Sequence, residues 1–143
     1  MLAGAVAGLA AAPAALAQDR EAFLAGTGKD CPGCDLTGAD LKRRDLSGAD
    51  LHGAILAGAT LHRANLRGAN LAGADLNHTN LNKTILVQAD FTGAKLVAAM
   101  MYEADASGAG FSGADLSQGL FGSVRLIRAR LAIGNEADQI AHS

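Results

Sequence analysis

The chain has 143 residues, half of them hydrophobic, yet aromatic residues make up only 3% and tryptophan is absent. That composition excludes a core of large interlocking rings and leaves alanine, glycine and leucine to fill an interior of one domain's size. A formal net charge of −2 supplies no global attraction for nucleic acid, an acidic membrane surface or another polyanion, so any partner must be recognised locally.

Residues 1–17 carry no charged side chain, intersperse Leu2, Val6, Leu9 and Leu16 among alanines, and end in Ala15-Leu16-Ala17. This small-x-small ending reads as a signal peptide cleaved before Gln18, which sends the mature chain to the periplasm or the medium. No lysine or arginine precedes the apolar run, which points to a translation start further upstream. The alternative is an alanine-rich N-terminal helix on a cytoplasmic protein. The segment is too short and too weakly apolar for a stable membrane span, and no cysteine follows the cleavage site to take a lipid anchor.

Residues 18–33 are expected to form an N-terminal cap, with a short helix over Asp19 to Leu24. The cap ends in Cys31-Pro32-Gly33-Cys34. A CxxC pair is a redox centre in a thioredoxin-like βαβ setting, but no such setting exists here. Zinc would need further ligands, and Asp35 after Cys34 excludes covalent haem attachment. In the phase of the repeat that follows, both cysteines fall at inward positions. A local disulfide can form in an oxidising compartment, and a redox-sensitive cap is the alternative.

From Leu36, every fifth residue through Leu131 is apolar, twenty in succession. Two positions earlier fourteen of the twenty are alanine; one position earlier eleven are aspartate or asparagine; two positions later nine are glycine. The unit is Ala-(Asp/Asn)-Leu-x-Gly. A period of five fits neither the 3.6 of a helix nor the 2 of a strand, so the backbone must turn once per unit. Coiling then points each leucine and alanine at one axis and leaves the Asx residue and glycine to serve the corners.

Runs such as Ala39-Asp40-Leu41, Ala49-Asp50-Leu51, Ala64-Asn65-Leu66, Ala69-Asn70-Leu71 and Ala74-Asp75-Leu76 resemble the pentapeptide-repeat family over residues 34–133. The Cys-Pro-Gly-Cys-Asp-Leu start is also similar to what many members show before their first full repeat. The resemblance implies an all-β fold, a right-handed quadrilateral β-helix of about five coils, with four units per coil and a rod of about 24 Å at the spacing of paired strands. Residues twenty apart would then stack, Phe91 on Phe111 among them. Ala106 would leave a gap for Met101 and Phe111 to fill. Arg44, at a nominal alanine position, is expected near the N-terminal end with its guanidinium reaching solvent or an aspartate. Residues 134–143 form a polar tail that can fold over Leu131 and Ile133.

The chemistry-bearing residues do not converge. His52, His62 and His78 fall on different columns in the four-unit arrangement and His142 lies in the tail, and the aspartate row recurs as part of the repeat and reads as turn support. No catalytic residue, cofactor site or metal site is assigned. More informative are apolar residues at outward positions: Ile55, Ile85, Val87, Val97, Met100, Tyr102, Leu120 and Ile127. Most lie in the last three coils, so Val97, Met100, Tyr102, Leu120 and Ile127 are the candidate interaction patch, for a protein partner or self-association.

Some family members resemble duplex DNA and bind type II topoisomerases. Between residues 35 and 131 this chain has nine acidic side chains against ten basic ones, whereas duplex DNA carries one negative charge per about 1.7 Å. The mimic reading fails on sign. The expectation is an exported, non-enzymatic scaffold or interaction module that binds no nucleic acid.

Overall fold

The computed structural model describes residues 16–131. Helix α1 spans residues 16–25 of the described chain, so it reaches beyond the expected start at Asp19 and includes Leu16 and Ala17. The rest of the expected signal segment lies outside the described residues. Gly26, at φ +84°, ends the helix, and the amides of Thr27 and Gly28 both donate back to the carbonyl of Ala22 at 2.9 and 3.2 Å, a left-handed C-terminal cap.

From Cys31 onward the backbone repeats one five-residue geometry. The amide of Ala39 donates to the carbonyl of Leu36 at 3.0 Å, and Gly38 between them has φ +69°, which together define a type II turn. The same corner recurs every five residues from Gly33 to Arg128. Among the described residues, all ten non-glycine residues with positive φ sit at these corners, as do all positive-φ glycines except Gly26.

Parallel bridges join residues twenty apart in sixteen pairs, from Asp35↔Ile55 to Gly110↔Arg130. Four units therefore close one turn of a four-sided solenoid. The bridged residues 35, 55, 75, 95 and 115 mark its first side, 40, 60, 80, 100 and 120 the second, 45, 65, 85, 105 and 125 the third, and 50, 70, 90, 110 and 130 the fourth. The expected β structure takes a reduced form. With a turn every five residues, only one residue per unit is free to pair, and the strands shrink to isolated bridges.

Every backbone amide of a regular unit is accounted for, as burial requires. The inward residue and the corner residue donate to the coil after: Leu36 to Ile55 at 2.7 Å and Gly38 to Ala57 at 2.9 Å. The alanine closes the turn. The bridged residue donates to the coil before, as Ile55 does to Cys34 at 2.8 Å. The fifth amide, one after the leucine, goes to the Asx side chain, as Thr37 does to Asp35 Oδ1 at 3.1 Å.

The inward residues from Cys31 to Leu116 are buried, together with the repeat alanines from Ala49 to Ala114, while Ala39 is half-buried. Phe91 and Phe111 stack with ring centroids 5.0 Å apart and planes 1° from parallel, and Met101, Ala106 and Phe111 are all buried. Thr79 and Thr84 stand where alanine is the rule and are fully buried. Their hydroxyls donate to the carbonyls of Leu56 at 3.0 Å and Leu81 at 2.6 Å, which removes the cost of burying them.

Arg44 is half-buried and, among the described residues, meets no aspartate. Its guanidinium lies 5.0 Å from the centroid of the Phe23 ring and donates to the Phe23 carbonyl at 2.5 Å. Phe23, on α1, is itself fully buried. Other groups before the first full repeat satisfy the ladder where no earlier coil exists: Arg20 Nε donates to the Asp35 carbonyl at 2.7 Å, and Asp30 Oδ1 accepts from the Asp50 amide at 2.8 Å. At the far end Phe121, Val124, Leu126 and Leu131 are only partly buried. The tail expected to cover them, and Ile133, lie outside the described residues.

Candidate interaction face

Met100 and Leu120 are bridged partners on the second side, with the Leu120 amide donating to the Ala99 carbonyl at 2.9 Å and the Met101 amide to the Leu120 carbonyl at 2.8 Å. Beside them a groove of about 470 Å³ is lined by Asn82, Met100, Tyr102, Gly119, Leu120, Phe121 and Gly122. Tyr102 is 54% exposed and Leu120 61%, so the groove is open and its walls are largely apolar.

Two glycines that sequence reasoning passed over shape it. A Cβ on Gly119 would lie 2.1 Å from the Phe121 ring, and one on Gly122 would lie 2.0 Å from the Tyr102 ring. Gly119 thus leaves the space that Phe121 fills, and Gly122 lets the tyrosine ring lie against the next coil. Both depart from the unit, since Gly119 replaces the alanine and Gly122 comes one residue before the usual glycine. That departure was the signal available.

The remaining patch residues go elsewhere. Ile127, 63% exposed, lines a second depression of about 270 Å³ on the third side with Val87, Gln88, Ser107, Gly108 and Arg128. Val97 belongs to the first side and is half-buried. The structure brings together Met100, Tyr102 and Leu120, and separates Val97 from Ile127 by the width of the solenoid.

Cys31 and Cys34 form a disulfide across the first turn, with their Cα atoms 5.4 Å apart and both side chains buried. Pro32 and Gly33 fill the two central positions, the arrangement a type II turn favours. All eleven Asx residues of the repeat accept the amide two residues on. A hydroxyl also donates to Asp35, Asp45, Asp90 and Asp115, from Thr37, Ser47, Thr92 and Ser117, and with the amide it holds these carboxyls below the usual range. The His52 ring does the same for Asp50, at 2.7 Å. His52, His62 and His78 lie on the fourth, second and first sides; His142 lies outside the described residues.

Four overlapping segments, at residues 34–71, 45–82, 69–105 and 84–122, match the family model described as pentapeptide repeats. With that match and this geometry, the chain belongs to the pentapeptide repeat family. It is similar to HetL, a pentapeptide repeat protein involved in heterocyst differentiation regulation from the cyanobacterium Nostoc sp. strain PCC 7120. The identity is 28% and the TM-score 0.69, covering 71% of this chain and 48% of that one. It is also similar to a pentapeptide repeat protein of the Arabidopsis thaliana thylakoid lumen, at 28% identity and a TM-score of 0.54, covering 72% of each chain. The chain thus spans about half the length of HetL. No curated protein matches the sequence. Among the described residues, no helix is long and apolar enough to cross a membrane.

Proposed function

We propose that the chain is an exported, non-enzymatic scaffold, a right-handed solenoid of five coils with α1 as its N-terminal cap, that engages a protein partner or a second copy through the groove at Met100, Tyr102, Leu120 and Phe121. The observation that carries this reading is the groove itself: two successive coils give up polar outward residues for methionine, tyrosine and leucine, and two glycines make room for the rings. Exposed apolar surface of this kind, on a chain whose other outward positions are mostly polar, favours a docking role. The N-terminal segment supports export, and the disulfide accords with an oxidising compartment. A DNA mimic is disfavoured by the excess of basic over acidic side chains in the repeat.

A compartment-resolved pull-down with the mature protein, paired with light scattering, tests the reading. Met100→Asp/Leu120→Asp is expected to abolish the partner or the self-association while leaving the circular dichroism unchanged. Unchanged mass together with an unchanged set of captured proteins would sink it.

A further inference from the structure

The second side carries more than the groove. Its corner residues are Arg43, Arg63, Lys83, Glu103 and Ser123, at φ values from 58° to 61°. On the fourth side the same corner is Gly33, Gly53, Gly73, Gly93 and Gly113. A side chain at a left-handed corner costs backbone energy that glycine avoids, and the fourth side shows that the solenoid accepts glycine at every coil. The fold therefore does not require long charged side chains on the second side.

These residues divide the second side into a charged part and an apolar part. Lys42, Arg43, His62, Arg63 and Lys83 occupy its first three coils, and the apolar groove occupies the last two. Its two carboxylates are already engaged, Asp40 with Lys42 at 3.5 Å and Glu103 with Lys83 at 3.7 Å. Arg43 and Arg63 are exposed, one coil apart, and have no ion-pair partner among the described residues.

We infer that the second side binds an extended acidic segment of a partner protein, with carboxylates on Arg43 and Arg63 and an apolar residue in the Met100–Leu120 groove. This rests on the groove reading above and adds the partner's chemistry. The corner column climbs from Arg43 to Ser123, in the coil that carries Leu120, in four coil steps; at strand spacing that is about 19 Å, which about six extended residues cover. Guanidinium groups suit carboxylates because their donors form a planar fork. Single-stranded nucleic acid would call for a row of stacking rings, and Tyr102 is the one exposed ring on this side among the described residues.

The test uses the full chain and a fluorescent hexapeptide of three aspartates followed by glycine, leucine and phenylalanine. Fluorescence anisotropy should show salt-sensitive binding, absent for a peptide with lysines in place of the aspartates. Arg43→Gly/Arg63→Gly should weaken it about tenfold while raising Tm, because strain is relieved as charge is lost. Arg43→Gln/Arg63→Gln, which keeps the backbone strain, should weaken it equally. Unchanged affinity in both arginine variants, with binding still lost in Leu120→Asp, would overturn this inference and leave the groove reading standing; loss of neither would overturn both. Tighter binding of a six-nucleotide single strand, displacement of the probe by a peptide of residues 132–143, or a dimer dissolved by the arginine variants would each overturn it in favour of another occupant.

Discussion

Each aspartate or asparagine of the repeat closes a two-residue turn by accepting the amide one beyond the leucine. At two units that lack the Asx residue, another coil supplies the acceptor. At Lys95 and Met100 no Asx side chain exists, and the orphaned amides of Val97 and Tyr102 donate to Asn77 and Asn82 of the coil before, both at 2.8 Å. The Asx role could be read from the sequence because it repeats with the period; the substitution by Asn77 and Asn82 could not, because both stand at the variable position of the unit, to which the repeat assigns no role. The carboxyls of Asp35, Asp45, Asp90 and Asp115 lie below their ordinary value in the folded chain, so the folded state binds fewer protons than the unfolded one. Their stabilisation is present at neutral pH and fades as pH falls below the ordinary aspartate range. Thermal denaturation should show a Tm that is nearly flat from pH 7 to 5 and drops toward pH 3. Changing these four residues to asparagine, which keeps the Oδ1 acceptor, should flatten that drop; an equally steep loss in the variant would contradict the account.

Helix α1 and the first coil meet through Phe23 and Arg44. Arg44 stood out as a violation of the alanine rule, but its partner was not legible, because Phe23 lies outside the repeat and no periodicity connects the two. The arginine tolerates its inward position because α1 supplies a carbonyl and an aromatic face together, a cation–π arrangement that replaces an ion pair. Removing the ring should cost about 3 kcal/mol and leave the Arg44 guanidinium poorly partnered. Phe23→Ala should therefore speed hydrogen exchange at the amides of Leu36 and Leu41 while those of Leu76 and Leu81 stay protected. Uniform loss of protection would mean that α1 is integral to the whole solenoid rather than a cover for its first coil. The disulfide belongs to the same end, and its buried sulfurs join the two inward positions of the first turn.

The solenoid as a whole sorts its outward residues by position modulo twenty, and this sets what the surface can do. The period of five, the inward columns and the Phe91–Phe111 stack were legible because leucine recurs without a break. The candidate patch was legible only as a set of anomalies. Val97, Met100, Tyr102, Leu120 and Ile127 are close in sequence, but four units per coil place them on three sides, and only Met100, Tyr102 and Leu120 meet. The rings that complete the groove depend on Gly119 and Gly122, whose role shows only when the coils are stacked. Strain is distributed in the same way, absent from the corners of the fourth side and present at all five of the second. The stacking of residues twenty apart thus underlies the core, the groove and the charged strip alike. A paired-cysteine experiment tests it directly: Met100→Cys/Leu120→Cys should cross-link on mild oxidation with the circular dichroism unchanged, since bridged neighbours lie within disulfide reach, whereas Met100→Cys/Asp115→Cys, fifteen apart, should not. Cross-linking of the second pair in place of the first would contradict four units per coil and the face built on it.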